Sequence, residues 1–315
     1  MNEIKAKSDK NRTIQINDSE RTRLCERLIS VLPGERLCAP PTGTINGDCL
    51  QWAKVLPQGF VDLLFLDPPY NLAKDFHGWK FNRQKVEDYT RWLDGILGEL
   101  KPLLKSTASV YICGDWFSSA SIFEAASNHF IVQNRITWER EKGRGARANW
   151  KNSSEDIWFC TLGSEYYFNL EAVKLRRKVL APYTENGSPK DWEKTGSGNY
   201  RDTHPSNMWT DITIPFWSMP ENTNHPTQKS EKLLAKIILA STPENGFVLD
   251  PFLGSGTTSV TAKKLGRNYL GIEQNTDYCL LAEKRLEMAD TNRKIQGFTG
   301  GVFWERNTLH LQGKE

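Results

Sequence analysis

Four consecutive residues, Asp67-Pro68-Pro69-Tyr70, combine a carboxylate, two rigid imides and an aromatic ring at the end of the apolar run Val61 to Leu66. Two prolines in succession lack the N–H donors a central ladder needs, so a strand entering this segment must stop there. They also stiffen it, fixing the Asp67 carboxylate, the Pro68 carbonyl and the Tyr70 ring relative to one another. Such a trio could hold a planar amino group between two oxygens while the ring carrying it lies on Tyr70. A bare turn would use the same residues, so a second motif is needed to decide.

That motif is Asp250-Pro251-Phe252-Leu253-Gly254-Ser255-Gly256-Thr257-Thr258, directly after one predicted strand and opening a predicted helix. Glycines there let the backbone turn tightly and approach a ligand without an intervening Cβ. Glu273 ends the next predicted strand, seventeen positions after Gly256. Strand, glycine turn, helix, strand and acid form the layout of a nucleoside site in a doubly wound sheet. The full GxGxxG fingerprint is missing, and no lysine follows the second glycine as a phosphate-binding loop requires. A nucleoside cofactor without phosphates therefore fits better than NAD or ATP.

The elements that position these motifs alternate. Strands are predicted at 44–48, 61–66, 109–113, 247–249 and 269–273, and helices at 50–56, 89–104, 117–128, 230–240, 258–265 and 276–288. A further helix opens at Asp18, carries Leu24, Leu28, Ile29 and Leu32 at helical spacing, and stops at Pro33-Gly34. The segment 131–139 pairs with 156–161 as an antiparallel hairpin, and 163–224 loses periodicity and reads as a loop-rich insert. This alternation predicts an α/β fold, a doubly wound, mostly parallel Rossmann-like sheet with an antiparallel edge hairpin.

Composition narrows the class. The 315 residues are 38% apolar and 25% charged, enough for an ordinary core. No apolar run approaches the length of a spanning helix, and residues 1–12 lack the apolar stretch of a secretory signal. Six dispersed cysteines form no CxxC pair and the five histidines never fall at ligand spacing, which predicts no metal and a soluble, reduced, cytoplasmic chain. Net charge is only +3, but Arg140, Lys142, Arg144, Arg147 and Lys151 cluster against a single acid, Glu141. Such a cluster is the footprint expected of phosphate-backbone contact.

D-P-P-Y followed by F-x-G-x-G resembles the amino-methyltransferases that use S-adenosylmethionine. The order is similar to the permuted beta class of DNA methyltransferases: D-P-P-Y, the insert, Asn224-His225-Pro226-Thr227-Gln228-Lys229, then the glycine turn. The resemblance covers roughly residues 44–285. It implies a catalytic pocket of Asp67, Pro68, Pro69 and Tyr70. For the cofactor it implies Asp67, Asp250, Phe252, Gly254, Ser255, Gly256, Thr257 and Thr258, with Glu273 on the ribose hydroxyls. Lys229 would take the cofactor's carboxylate and Asp48 its adenine amine. The implied division is an N-terminal tail and helix (1–43), a catalytic half (44–138), a target recognition insert (139–222), a cofactor-binding half (223–290) and a C-terminal tail (291–315).

The implied activity is methylation of the N6 amine of a flipped adenine in duplex DNA, with Arg140, Lys142, Arg144, Arg147 and Lys151 on the DNA. The partners implied are duplex DNA and no membrane; a homodimer and a cognate restriction endonuclease are compatible with the pattern. The rival readings are N4-cytosine methylation, an RNA base methyltransferase, and a catalytically silent DNA-binding module. Intact Asp67 and intact glycines disfavour the last.

Overall fold

The computed structural model describes residues 9–30, 36–72, 83–140, 148–180, 183–195, 198–308 and 311–312, with backbone also at 74–76 and 79–81. Helix α1 (Asp18–Cys25) precedes β1 (Gly43–Asn46), α2 (Cys49–Ala53) and β2 (Val61–Leu66). Next come α3 (Val86–Leu100), β3 (Leu104–Gly114), α4 (Ser119–His129), β4 (Ile131–Glu139) and β5 (Ser154–Thr161). Short strands follow, among them β6 (Leu175–Lys178), β7 (Glu193–Thr195), β8 (Gly198–Thr203) and β9 (Met208–Trp209). The chain continues with α5 (Glu231–Ser241), β10 (Phe247–Asp250), α6 (Thr257–Lys264), β11 (Asn268–Glu273) and α7 (Thr276–Thr291). Strands β12 (Phe298–Thr299) and β13 (Val302–Trp304) come last.

Eight strands form one sheet in the order β1-β11-β10-β2-β3-β5-β4-β9. It is parallel except for β5, which runs against both its neighbours. The fold is thus the Rossmann-like α/β sheet with an antiparallel hairpin that the sequence predicts. Strand β2 is buried at every position, and its alternate residues feed two cores. Leu64 and Leu66 pack with Leu93 and Leu97 of α3 on one face, and Leu63 and Phe65 with Leu234 and Ile238 of α5 on the other. Covering both faces is what a continuous apolar run requires.

Strand β10 leads through α6 to β11 on one side, and β2 leads through α3 to β3 on the other. The order therefore reverses between β10 and β2, and ligands bind in the crevice that such a reversal opens at the carboxyl ends of the strands. Buried Asp62 fixes this junction. Its carboxylate accepts the Phe247 amide at 2.7 Å and pairs with Lys105 at 2.7 Å.

Two expectations need correction. The first helix ends at Cys25 rather than running on to Leu32, because Ile29 donates its amide to Thr44 and bridges Ile45 at the sheet edge. Pairing with β1 wins over continued helical bonding. The insert is also not simply loop: β6, β7 and β8 join β12 and β13 in a five-stranded sheet, ordered β7-β8-β6-β13-β12. The C-terminal segment is held there by Phe303 and Trp304, both buried. Among the described residues, no helix is long and apolar enough to cross a membrane.

Candidate active site

The two motifs come together at the β2/β10 crevice. A cavity of about 420 Å³ is lined by the Asp67–Tyr70 segment, by 250–255 of the glycine turn, and by Asp48, His225, Lys229 and Glu273 among others. Of the residues expected to hold a cofactor, all but Gly256 line it directly. Four carboxylates (Asp48, Asp67, Asp250, Glu273) face one lysine, Lys229, across this space. Such a lining favours a cationic ligand and repels phosphates. Trp92, Ile96, Phe252 and Leu253 supply apolar wall.

Asp67 is held from two sides. The Tyr70 hydroxyl donates to Oδ1 at 2.9 Å, and Lys229 Nζ donates to Oδ2 at 2.6 Å. Tyr89 donates its hydroxyl to the Pro69 carbonyl at 3.0 Å, so of the two proline carbonyls Pro69's is taken. The Asn71 amide bonds to Ser118 Oγ at 3.1 Å, fastening the end of the segment to the turn after β3. Burial, with Asp67 and Glu155 adding to it, pushes the Tyr70 hydroxyl well above its ordinary value, so it stays a donor. Burial alone would lower Lys229, but the Asp67 and Glu155 carboxylates outweigh it and hold the ammonium above its ordinary range.

The glycine turn is shaped by its neighbours. Gly254 adopts φ +54°, and a Cβ there would meet His225 Nε2 at 2.9 Å. Gly254 donates its amide to Glu273 Oε2 at 2.9 Å, and Asn275 donates to Oε1 at 2.8 Å. Asp250 accepts from Thr258 Oγ1 at 2.6 Å and from the Phe252 amide at 3.0 Å, and burial pushes its carboxyl up to about 7. Asp48 caps α2 through Oδ1 while Oδ2 accepts from Gln274 at 2.7 Å, so it serves as a helix cap and lines the cavity at once.

A buried network that the sequence did not announce lies under this turn. Arg285 of α7 donates to the Ser255 carbonyl at 2.8 Å, to Thr257 Oγ1 at 3.0 Å and to Glu231 at 3.2 Å. Glu231 also pairs with Lys264 at 2.6 Å, and its amide donates to Glu221 at 2.7 Å. Burial and the nearby Glu231 carboxylate push Glu221 up to about 8. Its ordinary value is 4.5, so between about pH 4.5 and about 8 the folded chain holds more protons than the unfolded one. Stability contributed by Glu221 is present below that window and is lost as pH rises through it. Glu221→Gln, which can still accept the Glu231 amide, should therefore gain melting temperature relative to the parent as pH rises from about 5 to about 8. A difference constant with pH in thermal melts would remove the assignment.

The basic cluster fares differently. Arg140 turns inward: its guanidinium pairs with buried Glu155 and is only 31% exposed. Lys151 is exposed, and Lys142, Arg144 and Arg147 lie outside the described residues. Lys229, expected on the cofactor's carboxylate, here bonds Asp67 and reaches to 3.5 Å from Glu155. Sequence reasoning missed Glu155, although it shares strand parity with core residues Ile157 and Phe159, and an acid on an apolar face is a signal. Among the described residues, no group of three His, Cys, Asp or Glu is placed to hold a metal.

Known proteins share this fold and part of this sequence. M1.HpyAVI, solved as its SAM complex, superposes with a TM-score of 0.52 at 24% identity, covering 78% of this chain and 98% of the other. The PvuII cytosine-N4-specific DNA methyltransferase gives 0.58 at 14% identity over 82% and 95%. In sequence, the DNA adenine methyltransferase YhdJ of Escherichia coli is 34% identical over 78% of this chain and 82% of its own. The type II methyltransferase M.HinfI of Haemophilus influenzae is 30% identical over 79% and 69%. The N6/N4 methyltransferase family model, described as DNA methylase, matches residues 61–284. The chain thus belongs to the N6/N4 DNA methylases, enzymes whose methyl donor is S-adenosylmethionine.

Proposed function

We propose that this chain methylates the exocyclic N6 amine of adenine in duplex DNA, taking the base out of the stack to do so. The observation that carries the reading is the placement of Asp67 and Tyr70 across one crevice from the glycine turn and Glu273. The residues fit S-adenosylmethionine: a largely anionic cavity suits a sulfonium, and its volume falls in the range of small-molecule sites. Glu273 suits the ribose hydroxyls, Asp48 the adenine amine, and the 252–258 turn the methionine portion. When bound, the cofactor supplies an electrophilic methyl group.

Every other requirement falls on the chain. An exocyclic amine is a poor nucleophile because its lone pair is delocalised into the ring. Asp67 and the Pro68 carbonyl, each accepting one amine hydrogen, favour a tetrahedral nitrogen and stabilise the positive charge that develops on it. Tyr70 offers its ring to the extruded base, offsetting part of the unstacking cost of a few kcal/mol. Rigid prolines hold the acceptors in place, so positioning supplies most of the rate.

Residues 139–222 would form the target recognition region, in the arrangement of the permuted beta class, and Lys151 with the basic stretch would meet the phosphates. Similarity to the adenine methyltransferase YhdJ favours adenine, and the PvuII likeness keeps N4-cytosine as the second reading. Duplex DNA methylated by the purified chain and digested to nucleosides should yield N6-methyl-2′-deoxyadenosine. N4-methyl-2′-deoxycytidine as the product would transfer the assignment to the second reading, and no methylated nucleoside would end both.

A further inference from the structure

The acceptor meant for the target amine is already engaged. Lys229 Nζ sits 2.6 Å from Asp67 Oδ2 and 3.2 Å from the Tyr70 hydroxyl. An ammonium there neutralises the carboxylate and opposes the positive charge that must develop on the amine nitrogen and the charge already on a sulfonium. It has to leave for the reaction proposed above to run.

Glu155 offers it a second berth. Glu155 Oε2 is buried, accepts no hydrogen bond among the described residues, and lies 3.5 Å from Lys229 Nζ. A buried carboxylate oxygen without a donor is costly, and here the Lys229 ammonium is one short side-chain movement away. The other oxygen, Oε1, receives Arg140 Nη1. Arg140 stands at the mouth of the basic excursion, where its amide bonds to the Ser153 carbonyl at 2.6 Å. Its Nε is buried without a partner among the described residues. One chain of charges, Arg140–Glu155–Lys229–Asp67, therefore links the basic stretch to the catalytic carboxylate.

We propose that Lys229 is a positioning residue with two berths, and that duplex engagement by Arg140 passes its ammonium from Asp67 to Glu155. This rests on the DNA methylation reading. While Arg140 shares Glu155, the attraction of Glu155 for Lys229 is weakened and Asp67 keeps the ammonium. Once Arg140 pairs with a phosphate, Glu155 is a buried carboxylate that has lost its closer cation, and Lys229 moves fully onto it. Asp67 is then free to accept the amine. DNA thus biases one of two discrete ion-pair arrangements.

Glu155→Gln separates this from a structural role. Arg140 is no longer tied, so duplex binding should tighten about threefold or more, while kcat falls about tenfold because Lys229 has only Asp67. In a Lys229→Met background, the same change should alter kcat by less than about twofold. Weaker duplex binding by Glu155→Gln, or a kcat loss that persists in the Lys229→Met background, overturns the relay. A structure of the parent chain on duplex DNA judges it without any variant: Lys229 should bond Glu155, and finding it still on Asp67 ends the proposal. A parent chain that binds duplex yet transfers no methyl group overturns the activity reading instead, and the position of Lys229 in that complex still decides the relay.

Discussion

Exchanging Asp67 for Asn leaves a folded chain that binds S-adenosylmethionine within a few-fold of the parent and transfers methyl groups to DNA about a hundredfold to a thousandfold more slowly, the scale set by losing one preorganised charge-stabilising group. The change preserves shape, so the Tyr70 hydroxyl can still donate to the amide oxygen. What disappears is the negative charge facing the amine as its nitrogen becomes cationic. Cofactor affinity should survive because Glu273, Asp48 and the glycine turn sit on other strands of the crevice. Asp67→Ala should lose as much activity, and Lys229, its closer partner gone, still has Glu155 at 3.5 Å. Calorimetric cofactor titration and single-turnover transfer of a labelled methyl group measure the two halves separately. Residual turnover within tenfold of the parent would remove Asp67 from its assigned role.

What could be read from the sequence follows the range of the signals. Val61 to Leu66 announces a doubly covered strand through local composition alone, and Pro68-Pro69 ends it through local covalent geometry. The turn at 250–258 is legible for the same reason, whereas the neighbouring placement of β2 and β10 is what the resemblance to the amino-methyltransferases implies, the alternation itself giving only a parallel sheet. Glu155, Arg285 and the buried pairs of Asp211 with Lys232 and Lys236 were not legible as partners, because each pairing joins residues far apart in the chain. Strands β6, β7, β12 and β13 are too short for periodicity to register, and β8, six residues long, buries only Tyr200. Of their buried residues, Leu175 and Phe303 pack with Ala235 and Ala240 of α5, distant in the chain from both strands.

One glycine does a different job from the one its motif suggests, and this sets the largest expected effect on stability. Gly256, at φ +85°, opens α6, and a Cβ there would lie 2.5 Å from Ala282 Cβ and 2.7 Å from Ala282 Cα. The obstacle is backbone of α7, so the residue is required for helix-on-helix packing rather than for approach to a ligand. Gly256→Ala combines left-handed strain with overpacking, each costing about 1–3 kcal/mol, for a total of roughly 2–6 kcal/mol. Thermal melts should show a drop of several degrees, together with loss of the stabilisation that S-adenosylmethionine confers, since α6 and the turn must move. Gly266→Ala isolates the strain, because Gly266 has φ +71° and open space around its Cβ position; it should cost about 1 kcal/mol. Ala282→Gly added to Gly256→Ala should recover only part of the loss, since the α7 backbone still stands in the way of the new methyl group. A Gly256→Ala chain that melts within about one degree of the parent, where even about 1 kcal/mol should be visible, would mean that α7 yields freely and that the packing role is wrong.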